Sequence, residues 1–430
     1  MRRRGLWAHD DFLRLWAAST VSVFGSLITR VALPFTAILL LAATPLQIAA
    51  LSIAEMLPGF LLGLVAGAWV DRLRRRPIMV ATDLGRAALL LAVPVAALTG
   101  HLTIPLLVAV AAGASVLTVF FDVAYQAYLP SLVARDELVE GNAKLTAAGA
   151  VAEAGAFSLG GVLVQALTGP IAILVDAVSF VASAFLVGRI RTPEPDPTAR
   201  LRATDPNAGD GPGDGSGVLA EIVEGLALLR DDRTLLALAG GMALLAMAWQ
   251  ITGSVFLIFV TRELGFSPGP LGVIFAVGGV SSLVGALLAR RLGRLGVGAV
   301  MTAMLLVAAV GQGVLVLAVG AGAVSVAILV AQQLVTDSAL TVYDIHQTSL
   351  RQAITPEHML GRITASSQTL ATGAMLAGSL IGGVLGQTLG LRPTILVGTL
   401  AVLAAALWIF VSPVRRLRAL PAVPVVADAA

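Results

Sequence analysis

Residues 67–77 read Gly67-Ala-Trp-Val-Asp-Arg-Leu-Arg-Arg-Arg-Pro77, a short, strongly basic loop held between two long apolar stretches. A weaker copy returns about half a chain later, where Gly285-Ala-Leu-Leu-Ala-Arg-Arg-Leu-Gly-Arg294 again sets a glycine ahead of an arginine-rich loop. The correspondence continues past the loops. Val133-Ala-Arg-Asp-Glu-Leu-Val139 aligns with Ile354-Thr-Pro-Glu-His-Met-Leu360, and Gly160-Gly161 with Gly382-Gly383, each about 220 residues apart. Three matches in the same order predict two related halves.

The apolar stretches around these loops set the class. Of 430 residues 57% are hydrophobic and 12% charged, and the mean hydropathy is +0.93. Soluble domains carry roughly 25% charged residues, so this chain cannot cover its own surface in water. Lipid offers no partner for backbone N–H and C=O groups, which leaves helices or a closed barrel as spanning structures. Ala, Leu, Val and Gly without strict alternation indicate helices. Twelve are expected, at roughly 12–41, 46–70, 78–98, 103–129, 143–167, 171–189, 233–260, 268–289, 297–317, 322–345, 362–388 and 391–411. Met1-Arg-Arg-Arg4 looks like the start of a signal peptide, but the apolar stretch that follows is too long for one and should remain as the first span.

Basic residues fall at alternate connections: Arg2, Arg3 and Arg4; Arg72 with Arg74, Arg75 and Arg76; Arg135 with Lys144; Arg189 with Arg191; Arg290, Arg291 and Arg294; Arg351 with Arg362; Arg415, Arg416 and Arg418. Only Arg262 and Arg392 lie on the opposite connections. By the positive-inside rule both termini are expected in the cytoplasm of a multi-pass protein of the plasma (inner) membrane. The same placement explains a pI near 9.9 without nucleic acid as a partner. The expected organisation is a six-helix bundle over 1–191, a linker over 192–232, a second six-helix bundle over 233–414, and a cytoplasmic tail over 415–430. Thr192–Gly217 is rich in Pro, Gly, Asp and Thr and too polar to bury a core. Residues 218–230 carry apolar side chains at helical spacing, as in an amphipathic helix lying on the inner membrane surface.

These residues resemble the major facilitator superfamily. Gly67, Asp71, Arg72 and Arg76 match its loop signature between spans two and three, with Arg74 where the pattern usually has a second Gly. Asp83-Leu-Gly-Arg86, Phe121-Asp-Val-Ala-Tyr-Gln-Ala-Tyr-Leu-Pro130, Asn142-Ala143, Asp176-Ala-Val-Ser-Phe180 and Glu221-Ile-Val-Glu-Gly-Leu226 are similar to the exporter branch that includes macrolide-efflux and enterobactin-exporter proteins. Gly155-Ala-Phe-Ser-Leu-Gly-Gly161 keeps the glycines of that branch's span-five pattern without its Pro. By charge, Asp71 suits the positive N-terminal end of a neighbouring helix, and Arg72, Arg75 and Arg76 suit bridges to Asp83 or Asp122. The resemblance implies that such a cluster, with Gly67, gates the transport cycle. The alternative is that the arginines only fix topology.

Ionisable groups inside the membrane are functional candidates because of their insertion cost. Glu153 falls near the middle of span five, Arg30 in the outer half of span one, and Asp337 inside span ten. Glu55 heads a four-residue repeat with Gly59, Gly63 and Gly67, which predicts close packing of another helix along one face. Either Glu153 or Asp337 facing Arg30 would make a group able to change protonation, because burial raises a carboxylate's pKa and a nearby Arg lowers it; a permanent ion pair is the alternative. Trp249, Gln250, Gln332, Gln333 and Gln368 are candidate cavity walls for an amphiphilic solute, or else interhelical hydrogen bonders.

No catalytic site, metal site or cofactor is implied. The chain has no Cys, no His-Glu-x-x-His or Gly-x-Ser-x-Gly, and no phosphate-binding loop. A membrane-embedded enzyme is thus a remote alternative. The sequence predicts a monomeric secondary transporter among membrane lipids that exports a small amphiphilic molecule, such as a drug, antibiotic or siderophore-like compound, against protons. An importer or uniporter of a metabolite is the second reading.

Overall fold

The computed structural model describes residues 6–70, 72–194, 224–225 and 227–419. Most of the expected linker, the start of the 218–230 helix, and the tail beyond 419 lie outside the described residues. Of that helix, 224–225 and 227–230 are described, and they are helical.

Among the described residues twelve long helices follow one another: α1 Asp10–Leu40, α2 Pro45–Val70, α3 Arg75–Leu98, α4 Ile104–Leu132, α5 Leu138–Leu167, α6 Gly169–Gly188, α7 Arg233–Ile258, α8 Pro268–Leu292, α9 Val297–Gly313, α10 Ala323–Ile354, α11 Glu357–Thr388 and α12 Leu391–Val411. Eleven of them are long and apolar enough to cross a membrane, judged by length and composition. The other, α5, has 30 residues and carries Glu140, Lys144 and Glu153 in its sequence. Side chains mark several starts. The Asp232 carboxylate accepts from Thr234 N at 2.6 Å and Leu235 N at 3.1 Å, and His9 Nδ1 accepts from Phe12 N at 3.1 Å. Each satisfies N–H groups that have no partner inside the helix. Thr168, with φ 80°, is the single residue between α5 and α6.

Several helices run farther than their apolar cores. The sequence ended span ten at 345, whereas α10 continues to Ile354. Its last turns are amphipathic: Leu350 is fully buried, Gln347 is 2% exposed, and His346 Nδ1 lies 2.8 Å from Val342 O. Backbone bonding continues wherever one face still packs, so a hydropathy window stops early.

The chain divides into two compact units. One holds α1–α6, and the other holds α7–α12 except for Ser267–Val273 at the start of α8, which groups with the first. The internal repeat is plain in the helix starts, at 10, 45, 75, 104, 138 and 169 in the first half and 233, 268, 297, 323, 357 and 391 in the second. Packing repeats as well. Helix α6 packs on α1 and α3, and α12 on α7 and α9; α5 packs on α1, and α11 on α7.

At one end of the second unit α7 finishes in a π-helical turn, Phe259–Glu263. There Arg392 pairs with Glu263 and donates to the carbonyls of Val316 and, at 2.7 Å, Ala318. This accounts for one of the two arginines that broke the charge pattern: its charge is neutralised locally.

Candidate functional site

The basic loop is built as an extended turn. Arg72 N donates to Trp69 O at 3.3 Å and Leu73 N to Val70 O at 3.1 Å. Arg74 has φ −71° and ψ 127°, ordinary extended backbone that needs no glycine. Gly67 lies in the last turn of α2, and Asp71 lies outside the described residues. The carboxylate at the N-terminus of α3 is Glu194, which accepts from Arg75 N at 2.7 Å and Arg76 N at 3.3 Å. The positive end of the helix favours an anion there. Sequence reading left Glu194 in the linker.

Arg75 and Arg76 do not bridge to Asp83 or Asp122 through the bonds seen here. Arg75 donates to Ala127 O and Arg76 to Gly188 O, carbonyls in the second-last turn of α4 and at the end of α6. Asp83 lies about two turns deeper along α3, roughly 12 Å from the loop, and is fully buried. Its partner is Arg86 of the same helix.

Arg86 is the centre of the first unit's charged core. It is 3% exposed, and its guanidinium lies 4.3 Å from the ring centroid of Phe121 on α4 and 4.1 Å from that of Phe180 on α6. Its Nη1 is 3.4 Å from Thr118 Oγ1. Asp122 and Asp176 also act on its charge. Asp176, 1% exposed, accepts from Ser179 Oγ at 3.0 Å. One cation thus serves three carboxylates and two aromatic faces, an arrangement that offsets the cost of burying it. The sequence signal was present: an acid and a base three residues apart inside an apolar span can reach each other on one helix face.

Among the described residues Arg30 lies close enough to Glu55 for their charges to interact. Both residues belong to the first unit, where α2 packs on α4. Ser115 Oγ of α4 donates to Glu55 O at 2.6 Å. The stripe below Glu55 is not the close seam that its spacing predicted. Among the described residues nothing lies within 4 Å of a Cβ placed on Gly63 or Gly67, and only Val119 Cγ2, at 4.0 Å, meets Gly59. Glu153 falls near the middle of α5, and its side chain is outside the described structure.

In the second unit Asp337 and Gln333 of α10 point at α8. A Cβ on Gly278 would meet Gln333 Nε2 at 2.8 Å and Asp337 Oδ2 at 2.9 Å. Ser338 Oγ donates to Ser281 O at 2.7 Å, and Ser281 Oγ to Gly278 O at 2.8 Å. The glycines of α11 are as tightly used: a Cβ on Gly378 or Gly382 would strike the α7 backbone at Met247 or Ile251. Of the remaining polar candidates, Trp249 is 46% exposed, Gln250 half-buried, Gln332 buried and Gln368 exposed. Gln312, which sequence reading passed over, donates to Thr252 Oγ1 at 2.6 Å. Trp408 ties α12 to α7 by donating from Nε1 to Ala237 O at 3.0 Å. Among the described residues no group of three or more His, Asp or Glu could hold a metal ion.

Comparison with known proteins gives these features a context. The profile of a family described as "Transmembrane secretion effector" matches residues 6–426. Uncharacterized MFS-type transporters of Mycobacterium bovis and Mycobacterium tuberculosis are each 36% identical over 152 residues, 34% of this chain and 34% of each relative. The chain thus spans about a third of the length of those relatives. Among solved structures, a bacterial homologue of the iron transporter ferroportin in its inward-facing state has a TM-score of 0.71 at 21% identity, covering 93% of this chain and 98% of that one. The nucleoside transporter NupG (D323A mutant) reaches 0.73 at 13% identity, covering 93% and 99%. A bacterial homologue of the lysosomal transporter Spinster reaches 0.66 at 15% identity, covering 93% and 95%. At such identities these three share the fold.

Proposed function

The chain belongs to the transmembrane secretion effector family of major facilitator transporters, and from that premise we propose that it is a proton-coupled exporter of a small amphiphilic organic molecule. It is a multi-pass membrane transporter, not an enzyme. In this reading it works by alternating access as a monomer in the plasma membrane, with both termini in the cytoplasm.

The observation that carries the coupling is Asp337. A carboxylate near the middle of α10, half-buried, shares its place with Gln333 and faces Gly278 and the Ser281 hydroxyl on the facing helix. A carboxylate at mid-span is costly unless it does something, and here no described basic residue is seen paired with it. Protonation neutralises it, and deprotonation exposes a charge that a cationic or hydrogen-bonding solute can meet. Glu55 beside Arg30 is the counterpart in the first unit, and Glu153 shares the same depth by sequence. Trp249, Gln250, Gln332 and Gln368 offer apolar and amide surface for the solute. Gly67, Asp71, Arg72, Arg75 and Arg76, with Glu194 beside them and Asp83 and Asp122 deeper in the same unit, form the gate.

The test is transport of a cationic dye in liposomes under an imposed pH gradient. Wild type should move the dye against the gradient. Asp337→Asn should lower gradient-driven transport at least about tenfold, equivalent to ~1.4 kcal/mol, with melting temperature unchanged, and Glu55→Gln should lower it less. Dye movement that ignores both the gradient and Asp337→Asn would make the protein a uniporter.

A further inference from the structure

One corner of the first unit carries more positive charge than its helices need. Where α1 and α3 begin and α6 ends, Arg14, Arg76, Gly188, Arg189, Ile190 and Arg191 line an open cavity of about 550 Å³. Every ionisable lining group is an arginine. Two of the four have structural work. Arg14 pairs with Asp11 at 2.5 Å and donates to Arg189 O at 3.0 Å, and Arg76 donates to Gly188 O. These cations suit the carbonyl end of α6. The other two are differently placed. The Arg189 guanidinium lies over the Phe185 ring, 4.2 Å from its centroid, and no hydrogen bond or ion pair among the described residues engages the Arg191 side chain.

Among the described residues the acids nearby are already committed. Asp11 accepts from Arg191 N at 3.1 Å, Thr192 N at 2.9 Å and Thr192 Oγ1 at 2.7 Å, besides Arg14. Glu194 caps α3. Among the described residues four guanidinium groups thus face two carboxylates whose oxygens are occupied, which leaves an excess of positive charge at the cavity. Planar guanidinium forks match phosphate oxygens in pairs. A second feature separates a lipid from a free ion. The face of α6 leading to Arg189 is an exposed apolar stripe: Val178 is 60%, Val181 50% and Phe185 57% exposed. At helical spacing these residues make a track on which an acyl chain can lie, ending at the arginines.

We infer that this corner is a binding site for an anionic phospholipid, with Arg189 and Arg191 holding the headgroup phosphate in front of Arg14 and Arg76, and an acyl chain along Val178, Val181 and Phe185. Such a site clamps the ends of α1, α3 and α6 to the leaflet on that side. Basic pockets between spanning helices are suited to such headgroups. The inference needs only that the chain spans a membrane, and it stands whether or not the exporter reading does.

The experiment uses the full-length protein in neutral detergent, titrated with phosphatidylglycerol, phosphatidylcholine or inorganic phosphate. Bound lipid is read by native mass spectrometry and stabilisation by the thermal midpoint. Phosphatidylglycerol should bind and raise the midpoint, phosphatidylcholine should bind more weakly, and inorganic phosphate should do little at the same concentration. Arg189→Gln and Arg191→Gln should each weaken phosphatidylglycerol binding roughly fivefold, and the pair more. Arg291→Gln, an exposed arginine of the second unit, should leave it unchanged. Equal loss in Arg291→Gln, no loss in the double variant, or no preference over phosphatidylcholine would each overturn the site. Saturation by inorganic phosphate alone would replace the lipid by a free anion.

Discussion

The third helix of each half can be read in one register. Counted from the first residue of α3 and of α9, Asp83 and Arg86 stand where Leu305 and Ala308 stand in the second half. All four are buried to within a few per cent. In the first unit that position holds a salt bridge stacked between Phe121 and Phe180. In the second, Leu305 and Ala308 sit in apolar clusters with Met301, Ala309, Val402 and Ile409. One backbone arrangement therefore accepts either a charged core or an apolar one.

The second and fourth helices teach the same lesson from the other side. A serine on the fourth helix donates to a carbonyl on the second in both halves, Ser115 to Glu55 and Ser338 to Ser281. The carboxylate beside this bond changes place, from Glu55 on α2 to Asp337 on α10. The scaffold repeats, while the charged groups do not. Function is best sought where the repeat diverges.

The comparison breaks most visibly at Arg86. Arg86→Met leaves Asp83 buried without its partner and should cost about 3–5 kcal/mol, read as a large fall in the thermal midpoint and in folded yield. Asp83→Leu with Arg86→Ala copies the second half's residues and should recover part of that loss, the remainder being what Asp122 and Asp176 lose with the cation. A double variant as unstable as the single one would mean that the two cores are not interchangeable.

A smaller effect sharpens the contrast between glycine stripes. Gly382→Ala must push against the α7 backbone at Ile251 and should cost about 1–3 kcal/mol. Gly63→Ala meets open space among the described residues and should stay within roughly 0.5 kcal/mol in the same melts. The smallest effect concerns the shared bond. Ser115→Ala and Ser338→Ala should each lose ~0.6 kcal/mol, and a clearly unequal pair would show that the halves rely on it differently.

The architecture was legible in the sequence because lipid leaves so few choices: length, apolarity and the repeated basic loops were enough for twelve helices in two halves. Individual partners were less so. Spacing put Glu55, Gly59, Gly63 and Gly67 on one face, but spacing does not say what that face meets. Charge matches Arg75 and Arg76 to acids, whereas main-chain carbonyls on α4 and at the end of α6 lie within their reach, and only the one that ends α6 lacks a partner inside its helix. Arg86, a base placed three residues after an acid inside an apolar span, is the clearest local sign of a buried pair in the sequence. Glu194 was hidden by its polar surroundings, since composition describes a segment and not the one residue in it that finds a helix end.

Arg392 has a mechanical consequence. A single planar cation holds Glu263 at the close of α7, the carbonyls of Val316 and Ala318 that follow α9, and its own first turn of α12. Three helix ends joined through one rigid fork cannot part in sequence, as a row of separate hinges would. Parting any one of these ends costs the arginine's bonds to the others, so that rim of the second bundle resists bending more than the helix ends the arginine does not reach.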